Sequence, residues 1–461
     1  MKNYLQGKKV IVIGAARQGL AATRYLAAKQ ANVILTDSRP LSDFKGLKEQ
    51  FTGQSVEFNF GSHSLDILDH ADMLCISGGV PLSIALIQEA QKRGILLTND
   101  SQLFMKEVSA KVIGITGSAG KTTTTVLTGA IAKAAVEPGA KVWVGGNIGY
   151  PMIDDIDEIK PEDWVVHEFS SFQLEQMTIS PHIAVVTNIT PNHLDRHKTM
   201  QAYTAAKAHI LKFQTRLDFA VLNRDDYGAY GLQKNVIGNL LTFGFEKPSG
   251  SNMGIFIENG YICRKDGKEV YELFATSEVK LAGNHNKANA MAACAASLAA
   301  GFSVEAMRKG IASIEGIPHR LELIRVINGV SWYNDSIATT PERVMAALRA
   351  ISGQLVILLG GRDKDLPWVE LVGMLHVRRP KVILFGEAAP LIGRVIISVE
   401  GCSPAYPVFK TQTLGDAIKK ASEIATAGDA VLLSPGGTSY DAYRDFEERG
   451  DEFRNLVKDL T

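Results

Sequence analysis

Short runs of valine, isoleucine and leucine recur along the chain without polar residues alternating inside them: KKVIVIG, NVILTD, DMLCIS, KVIGIT, DWVVHEF, HIAVVTN, DFAVLN, QLVILLG, KVILFG and DAVLLS. A strand that shows one face to water alternates apolar with polar side chains. These runs do not, so both of their faces must be covered. Between many of them lie helical stretches such as GLAATRYLAAKQ, PLSIALIQEAQKRG, TTTTVLTGAIAKAA and TPERVMAALRAI. Strands alternating with helices build parallel sheets clothed by helices on both sides. The expected fold class is therefore α/β.

A chain of 461 residues exceeds what one hydrophobic core organises. Three domains are expected, each on a mostly parallel, Rossmann-like sheet. The first boundary falls near Leu103 to Ser109, where a new strand-loop-helix unit begins, and the second near EGIPHR around Gly316. This gives blocks 1–104, 105–316 and 317–461. Between about 240 and 280 the chain turns glycine- and serine-rich, with hairpin-like pieces that suggest an antiparallel insertion. The 49 basic and 49 acidic residues cancel, leaving no global field to recruit nucleic acid or an anionic membrane. No run approaches the roughly 18 apolar residues of a membrane span, the start lacks a secretory pattern, and the 4 cysteines are dispersed. A cytoplasmic monomer is expected, without membrane insertion.

The stretch GITGSAGKTTTT, from Gly114 to Thr125, resembles a phosphate cradle but carries Ile115 where the strict G-x-x-x-x-G-K-[ST] pattern wants glycine. Its chemical parts are nevertheless in order. A strand leads into Gly117, Ser118, Ala119 and Gly120, and Lys121 then opens a helix whose free N–H groups and dipole favour an anion. Thr122 can ligate the magnesium of a nucleotide. The competing reading is a glycine turn before a threonine-rich helix start.

In open parallel sheets, ligands gather beyond the carboxyl ends of strands. Lys121 and Thr122 follow KVIGIT, Glu168 closes DWVVHEF, and Asn188 and His193 follow HIAVVTN. A hard divalent ion wants carboxylate oxygen while phosphates complete its shell. Each residue alone also reads as an ordinary surface acid or a hydrogen-bonded histidine. Near the amino terminus, Gly14 to Gly19 reads G-x-A-x-x-G, with Ala16 replacing a glycine and Asp37 ending the next strand. That suggests a dinucleotide site, or simply close helix packing.

The segments TGSAGKTTTT, HEFSSFQLE, TNITPNHLDRH, GNHNKANA, GIPHRLE, YNDSIATTPE and SPGGTSYDAYRDFEERG, in this order, resemble the Mur ligases, and the resemblance covers essentially the whole chain. It implies an ATP-dependent amide ligase of peptidoglycan precursor synthesis, taking UDP-N-acetylmuramoyl-L-alanine and D-glutamate through an acyl phosphate. By that resemblance the central domain carries a P-loop-type ATPase site, where Gly117, Ser118, Ala119, Gly120, Lys121, Thr122 and Thr123 hold the ATP phosphates, and Asn286, Asn289, Arg320 and Asp335 hold the rest of ATP. Thr122 and Glu168 would bind one magnesium, and His193 with a carbamylated Lys207 a second. Gly14, Gly19, Asp37, Ser38, Arg39, Ser77 and Asn147 would meet the uridine substrate, and Thr339, Lys364, Ser439 and Phe446 the glutamate.

One departure bears on the acceptor. Many D-glutamate ligases read N-D-S-K-A-T, whereas this chain has Ile337 in place of the lysine. An L-glutamate-adding relative therefore remains an alternative, as does a nucleotide-binding regulatory protein that keeps the cradle without ligase activity. A nicotinamide dehydrogenase would use Gly14 to Gly19 but leaves Lys121 without a role.

Overall fold

The structure is a computed structural model that describes residues 3–460, apart from 149, 251–252, 282, 364–365 and 401–403. Its first sheet joins β1 (Lys9–Ile13), β2 (Asn32–Asp37), β3 (Val56–Phe60), β4 (Met73–Ile76) and β5 (Leu96–Thr98) in the order β3-β2-β1-β4-β5. Every pairing is parallel. The apolar run of β1 is covered on both faces, as its lack of alternation requires. Val10 and Val12 pack with Tyr25 and Leu26 of the helix Arg17–Ala28. Ile11 and Ile13 point the other way, toward Leu86 and Ile87 of the helix Ala85–Lys92.

The second sheet is made of β6 (Lys111–Thr116), β7 (Val142–Gly146), β8 (Trp164–Glu168), β9 (Ile183–Val186), β10 (Phe219–Asn223), β11 (Asn239–Phe243), β12 (Gly254–Glu258), β13 (Tyr261–Asp266) and β14 (Glu269–Ala275). Its order is β14-β13-β12-β11-β10-β9-β6-β8-β7. The strands from β7 to β12 run parallel, and β12, β13 and β14 then extend the sheet as antiparallel hairpins. β6 lies between β8 and β9, with Ile115 opposite both Glu168 and Val185. The carboxyl ends of these three strands therefore emerge side by side. Both sheets belong to one compact unit that runs to Ile314. Within it Asn99 donates to the Gln173 carbonyl at 2.9 Å, Gln173 donates to Ser101 Oγ at 2.8 Å, and Arg24 pairs with Asp154 at 2.7 Å.

A second compact unit begins at Glu315. It holds β15 (Glu322–Ile327), β16 (Val330–Asn334), β17 (Leu355–Gly360), β18 (Lys381–Phe385), β19 (Val408–Lys410) and β20 (Ala430–Gly436), in the order β15-β16-β20-β17-β18-β19. Only β15 is antiparallel to its neighbour. Ile357 and Leu359 face Leu371 and Ile392 on one side, while Val356 and Leu358 face Leu414 and Phe453 on the other. The fold is α/β throughout, on three mostly parallel sheets. Among the described residues no helix is long and apolar enough to cross a membrane.

The helix that leaves β6, Lys121–Ala135, is held against the helix Val304–Ala312 by close backbone approach. A Cβ placed on Gly310 would lie 2.5 Å from the Ile131 nitrogen and Cα. Backbone atoms cannot move aside as a flexible side chain can. Gly310→Ala is expected to destabilise the protein by about 1–3 kcal/mol, read as a lowered urea midpoint; an unchanged midpoint would refute this packing.

Candidate active site

The loop after β6 is shaped by its neighbours. Gly120 sits at φ +80°, in the left-handed region, and a Cβ there would fall 2.3 Å from Asn289 Oδ1; at Gly117 it would fall 1.8 Å from Thr187 Oγ1. Ile115, the residue that breaks the strict motif, is fully buried inside β6 and paired on both sides. The strand thus runs past the position where the longer motif would already be turning. The Ser118 N–H donates to the Asn188 carbonyl at 2.9 Å and the Ala119 N–H to Asn188 Oδ1 at 2.8 Å. Thr187 Oγ1 donates to the Ala119 carbonyl at 2.7 Å. With these loop groups engaged, an anion would be met mainly by the first turn of the helix Lys121–Ala135, where N–H groups have no intrahelical acceptor.

Two lysines converge on this loop. Lys121 Nζ donates to the Gly117 carbonyl at 3.0 Å, and Lys207 Nζ donates to the same carbonyl at 2.8 Å and to Thr116 Oγ1 at 3.3 Å. Lys207, on the helix Met200–Lys212, is 1% exposed. Burial, and next the charge of Lys121, hold its pKa well below that of an ordinary lysine, with Glu168 opposing. Glu168 is buried at the end of β8, where its Oε2 accepts from Thr122 Oγ1 at 2.9 Å and its Oε1 from Asn147 Nδ2 at 2.9 Å. Asn147, expected near the uridine substrate, thus stands at the Glu168 carboxylate. It follows β7 directly, and Gly146 before it is opposite Glu168. Asn289 accepts from Thr124 Oγ1 at 3.4 Å and donates to Asn286 at 3.2 Å, which brings both asparagines to the start of the same helix.

His193 precedes the short helix Leu194–His197 with φ 53°, and its ring meets Phe172 edge-on at 5.2 Å. A few residues on, Arg196 donates to the carbonyls of Gly79 at 3.1 Å and Val80 at 2.9 Å and lies over the Phe172 ring at 4.1 Å. It ties the His193 loop to the loop that follows β4. Sequence reasoning quoted its motif, TNITPNHLDRH, but gave Arg196 no role.

At the carboxyl ends of β1, β2 and β4 a second group assembles. Gly14 has φ +97°, and a Cβ on Gly19 would fall 1.8 Å from the Gly14 carbonyl oxygen. Ser77 Oγ donates to that oxygen at 3.0 Å. Asp37 accepts from the Ala15 N–H at 2.9 Å and from Arg39 N and Nε at 3.0 Å each. Burial pushes this carboxyl up, but the bonds from Arg39 and Ala15 outweigh it and leave the pKa below the ordinary value. Ser38 is exposed between the two. The close helix packing and the polar cluster are both realised here.

In the second unit, Asp335 follows β16 and accepts from Ser434 Oγ at 2.8 Å and the Leu321 N–H at 3.2 Å. Burial raises its pKa to about 7, although these bonds and then Arg320 and Arg343 act to lower it. Thr339 lies further along the same loop, and Ser439 is buried in the loop after β20. Phe446 opens the helix Phe446–Asp459, and its carbonyl accepts from Ser336 Oγ at 2.8 Å. Lys364 lies outside the described residues.

Among the described residues no group of three or more His, Cys, Asp or Glu converges as a self-sufficient metal site. A hydroxyl and a carboxylate in contact, as in Thr122 and Glu168, do suit magnesium, which is usually held by one or two carboxylates with substrate phosphates and water.

Comparison with known proteins matches most of the chain to one family. The profile of the Mur ligase middle domain matches residues 115–297, the Mur ligase MurD-like N-terminal domain residues 8–99, and the Mur ligase glutamate ligase domain residues 319–437. A UDP-N-acetylmuramoylalanine–D-glutamate ligase of Symbiobacterium thermophilum is 37% identical over 455 residues, 98% of each chain. One of Geotalea uraniireducens is 37% identical over 464 residues, covering 99% of this chain and 98% of its own. Among solved structures, the UDP-N-acetylmuramate–alanine ligase of Thermotoga maritima superposes with a TM-score of 0.58 at 17% identity, covering 98% of this chain and 99% of that one. A pseudomurein peptide ligase type C of Methanothermus fervidus gives 0.55 at 18% identity, covering 99% and 100%. An ATP-dependent amide-bond ligase is the class so defined. The chain belongs to the Mur ligase family.

The raised pKa of Asp335 sets a pH dependence. The folded chain binds this proton up to about pH 7, whereas an ordinary aspartate releases it near 3.8. Its stabilising contribution is complete below the lower value and is lost as pH rises through the upper one. Asp335→Asn should flatten that fall in urea-unfolding series taken across the interval; an unaltered slope would show that Asp335 is not its source.

Proposed function

We propose that the chain adds D-glutamate to UDP-N-acetylmuramoyl-L-alanine, using ATP, as a cytoplasmic and monomeric enzyme of peptidoglycan precursor synthesis. The full-length relatives named D-glutamate ligases support the amino acid. The single observation that carries the chemistry is the meeting of Lys121 and Lys207 at the Gly117 carbonyl, beside the Thr122–Glu168 pair. Residues 1–104 hold the uridine nucleotide, 105–316 the ATP phosphates, and 317–461 the glutamate with part of ATP.

A carboxylate does not acylate an amine at neutral pH, because oxide cannot leave. Transfer of the γ-phosphoryl group to the alanyl carboxylate forms an acyl phosphate and ADP. The glutamate amine then attacks the carbonyl carbon, a C–N bond forms, the C–O bond to phosphate breaks, and phosphate departs as the nitrogen loses a proton. In this scheme Lys121 and the helix start hold the phosphates, and the protein contributes mainly positioning and charge neutralisation. Asn147 orients Glu168 through Oε1. Thr122 and Glu168 would hold one magnesium ion, and His193 with carbamylated Lys207 a second; bound magnesium would offset the charge of the phosphates. The depressed pKa of Lys207 supports the carbamate, since only a neutral amine adds carbon dioxide. Asp37, Ser38, Arg39 and Ser77 meet the uridine nucleotide, with Gly14 and Gly19 allowing close approach. Thr339, Lys364, Ser439 and Phe446 meet the glutamate.

Purified protein with ATP, magnesium, UDP-N-acetylmuramoyl-L-alanine and either enantiomer should yield ligated product by mass with D-glutamate only. Product with L-glutamate alone would move the chain to the L-adding reading, and phosphate release independent of both substrates would favour a regulatory protein. Lys121→Ala should lower kcat by about a hundredfold or more, and full activity in that variant would remove the lysine from the site. Isotopically labelled bicarbonate should give a carbamate carbon resonance that disappears in Lys207→Ala; a signal common to both proteins would place the carbamate elsewhere.

A further inference from the structure

Arg449 plays no part in the chemistry above, yet it is fully buried. It sits in the first turn of the helix Phe446–Asp459. Its Nε donates to Ser336 Oγ at 3.0 Å, Nη2 to the Ser336 carbonyl at 2.9 Å, and Nη1 to the Gly437 carbonyl at 3.3 Å. A third segment presses on the same guanidinium, since a Cβ on Gly361 would fall 2.8 Å from Nη1. All of these acceptors are neutral, and Asp441 acts on the charge only at longer range.

Burying a cation against neutral oxygens is costly, and an apolar side chain of similar size would ordinarily fill such a space at no such cost. What the arginine joins explains its presence. Ser336, Gly361 and Gly437 lie just beyond the carboxyl ends of β16, β17 and β20, three neighbouring strands. Thr339 follows Ser336 in one loop and Ser439 follows Gly437 in another. Phe446 is bonded to Ser336 Oγ through its carbonyl and lies one helical turn before Arg449. A planar fork with several fixed N–H directions can set the spacing of such loops, whereas the single ammonium of lysine cannot hold them at once.

We infer that Arg449 is the positioning residue of the amino-acid acceptor site, fixing the spacing of the segments that carry Thr339, Ser439 and Phe446. This rests on the proposed function insofar as those residues meet glutamate. Misplacement by about 1 Å can cost a hundredfold in rate, so a small change in this spacing should be felt by the acceptor first. The UDP substrate, assigned to residues 1–104, should be indifferent to it.

The test compares Arg449→Lys with the unmodified enzyme in steady-state kinetics and in amide hydrogen exchange. The expected result is a KM for glutamate raised about tenfold or more, with KM for the UDP substrate within about twofold. Exchange should accelerate in residues 335–339 and 437–439 and not across the strands. A glutamate KM within twofold of the original in a folded variant would overturn the inference, as would an equal loss in kcat with every KM unchanged, the pattern of a general structural defect. Should Arg449→Lys fail to fold, Ser336→Ala, which removes one acceptor of the fork and the bond to Phe446, decides instead. It should raise the glutamate KM about threefold, and no rise would overturn the inference. If the unmodified enzyme takes no glutamate, the proposed function fails, and the exchange measurement still judges the loop-fixing role.

Discussion

One carbonyl oxygen, that of Gly117, accepts from two lysine side chains, and the side chains around the loop answer the consequence. Like charges at such short range repel strongly once water is thinned out. The protein meets this in two ways. It buries Lys207, which pulls its pKa well below that of an ordinary lysine, and it places Glu168 within electrostatic reach. Glu168 is itself held on both oxygens by neutral donors, Thr122 and Asn147, so its charge is not cancelled by a direct ion pair. A triphosphate with a divalent ion is the kind of ligand that such an arrangement of cations and one carboxylate accommodates.

Residues far apart in sequence reach this point because of strand order. β6 sits between β8 and β9, so the loops that follow all three open on one edge of the sheet. The glycines are then set by what surrounds them: Thr187 leaves no room for a side chain at 117, and Asn289 none at 120. Asn188, at the exit of β9, braces the loop through its side chain and its carbonyl. The loop's path is therefore fixed by the neighbouring strand as much as by its own residues, which is why a shorter motif serves.

The strands buried on both faces were legible in the sequence, since each needed only an unbroken apolar run. Several edge strands were not. β3 is only half-buried along its length and β15 mixes half-buried with exposed positions, so neither carries the doubly covered signal, and the short β19 offers little pattern of any kind. In the site, the loop, Glu168 and the helix start could be read from residue order. Lys207 reads as an ordinary helix lysine until the fold shows it buried beneath the loop. Arg196 and Arg449 were invisible for a related reason: a charged side chain is by default a solvated one, and main-chain carbonyls as partners leave no trace in the sequence.

The choice between lysine and arginine at the two deeply buried positions follows from their chemistry. Lys207 and Arg449 are both held by main-chain and hydroxyl oxygens instead of by a directly bonded carboxylate. Burial lowers the pKa of each. For lysine the shift moves the titration well below the ordinary range. For Arg449 the same penalty brings the value only to about 10, so the guanidinium stays charged at neutral pH and its fork remains fixed. A buried lysine can thus lose its charge where the local field requires it, whereas a buried arginine holds three segments without changing state.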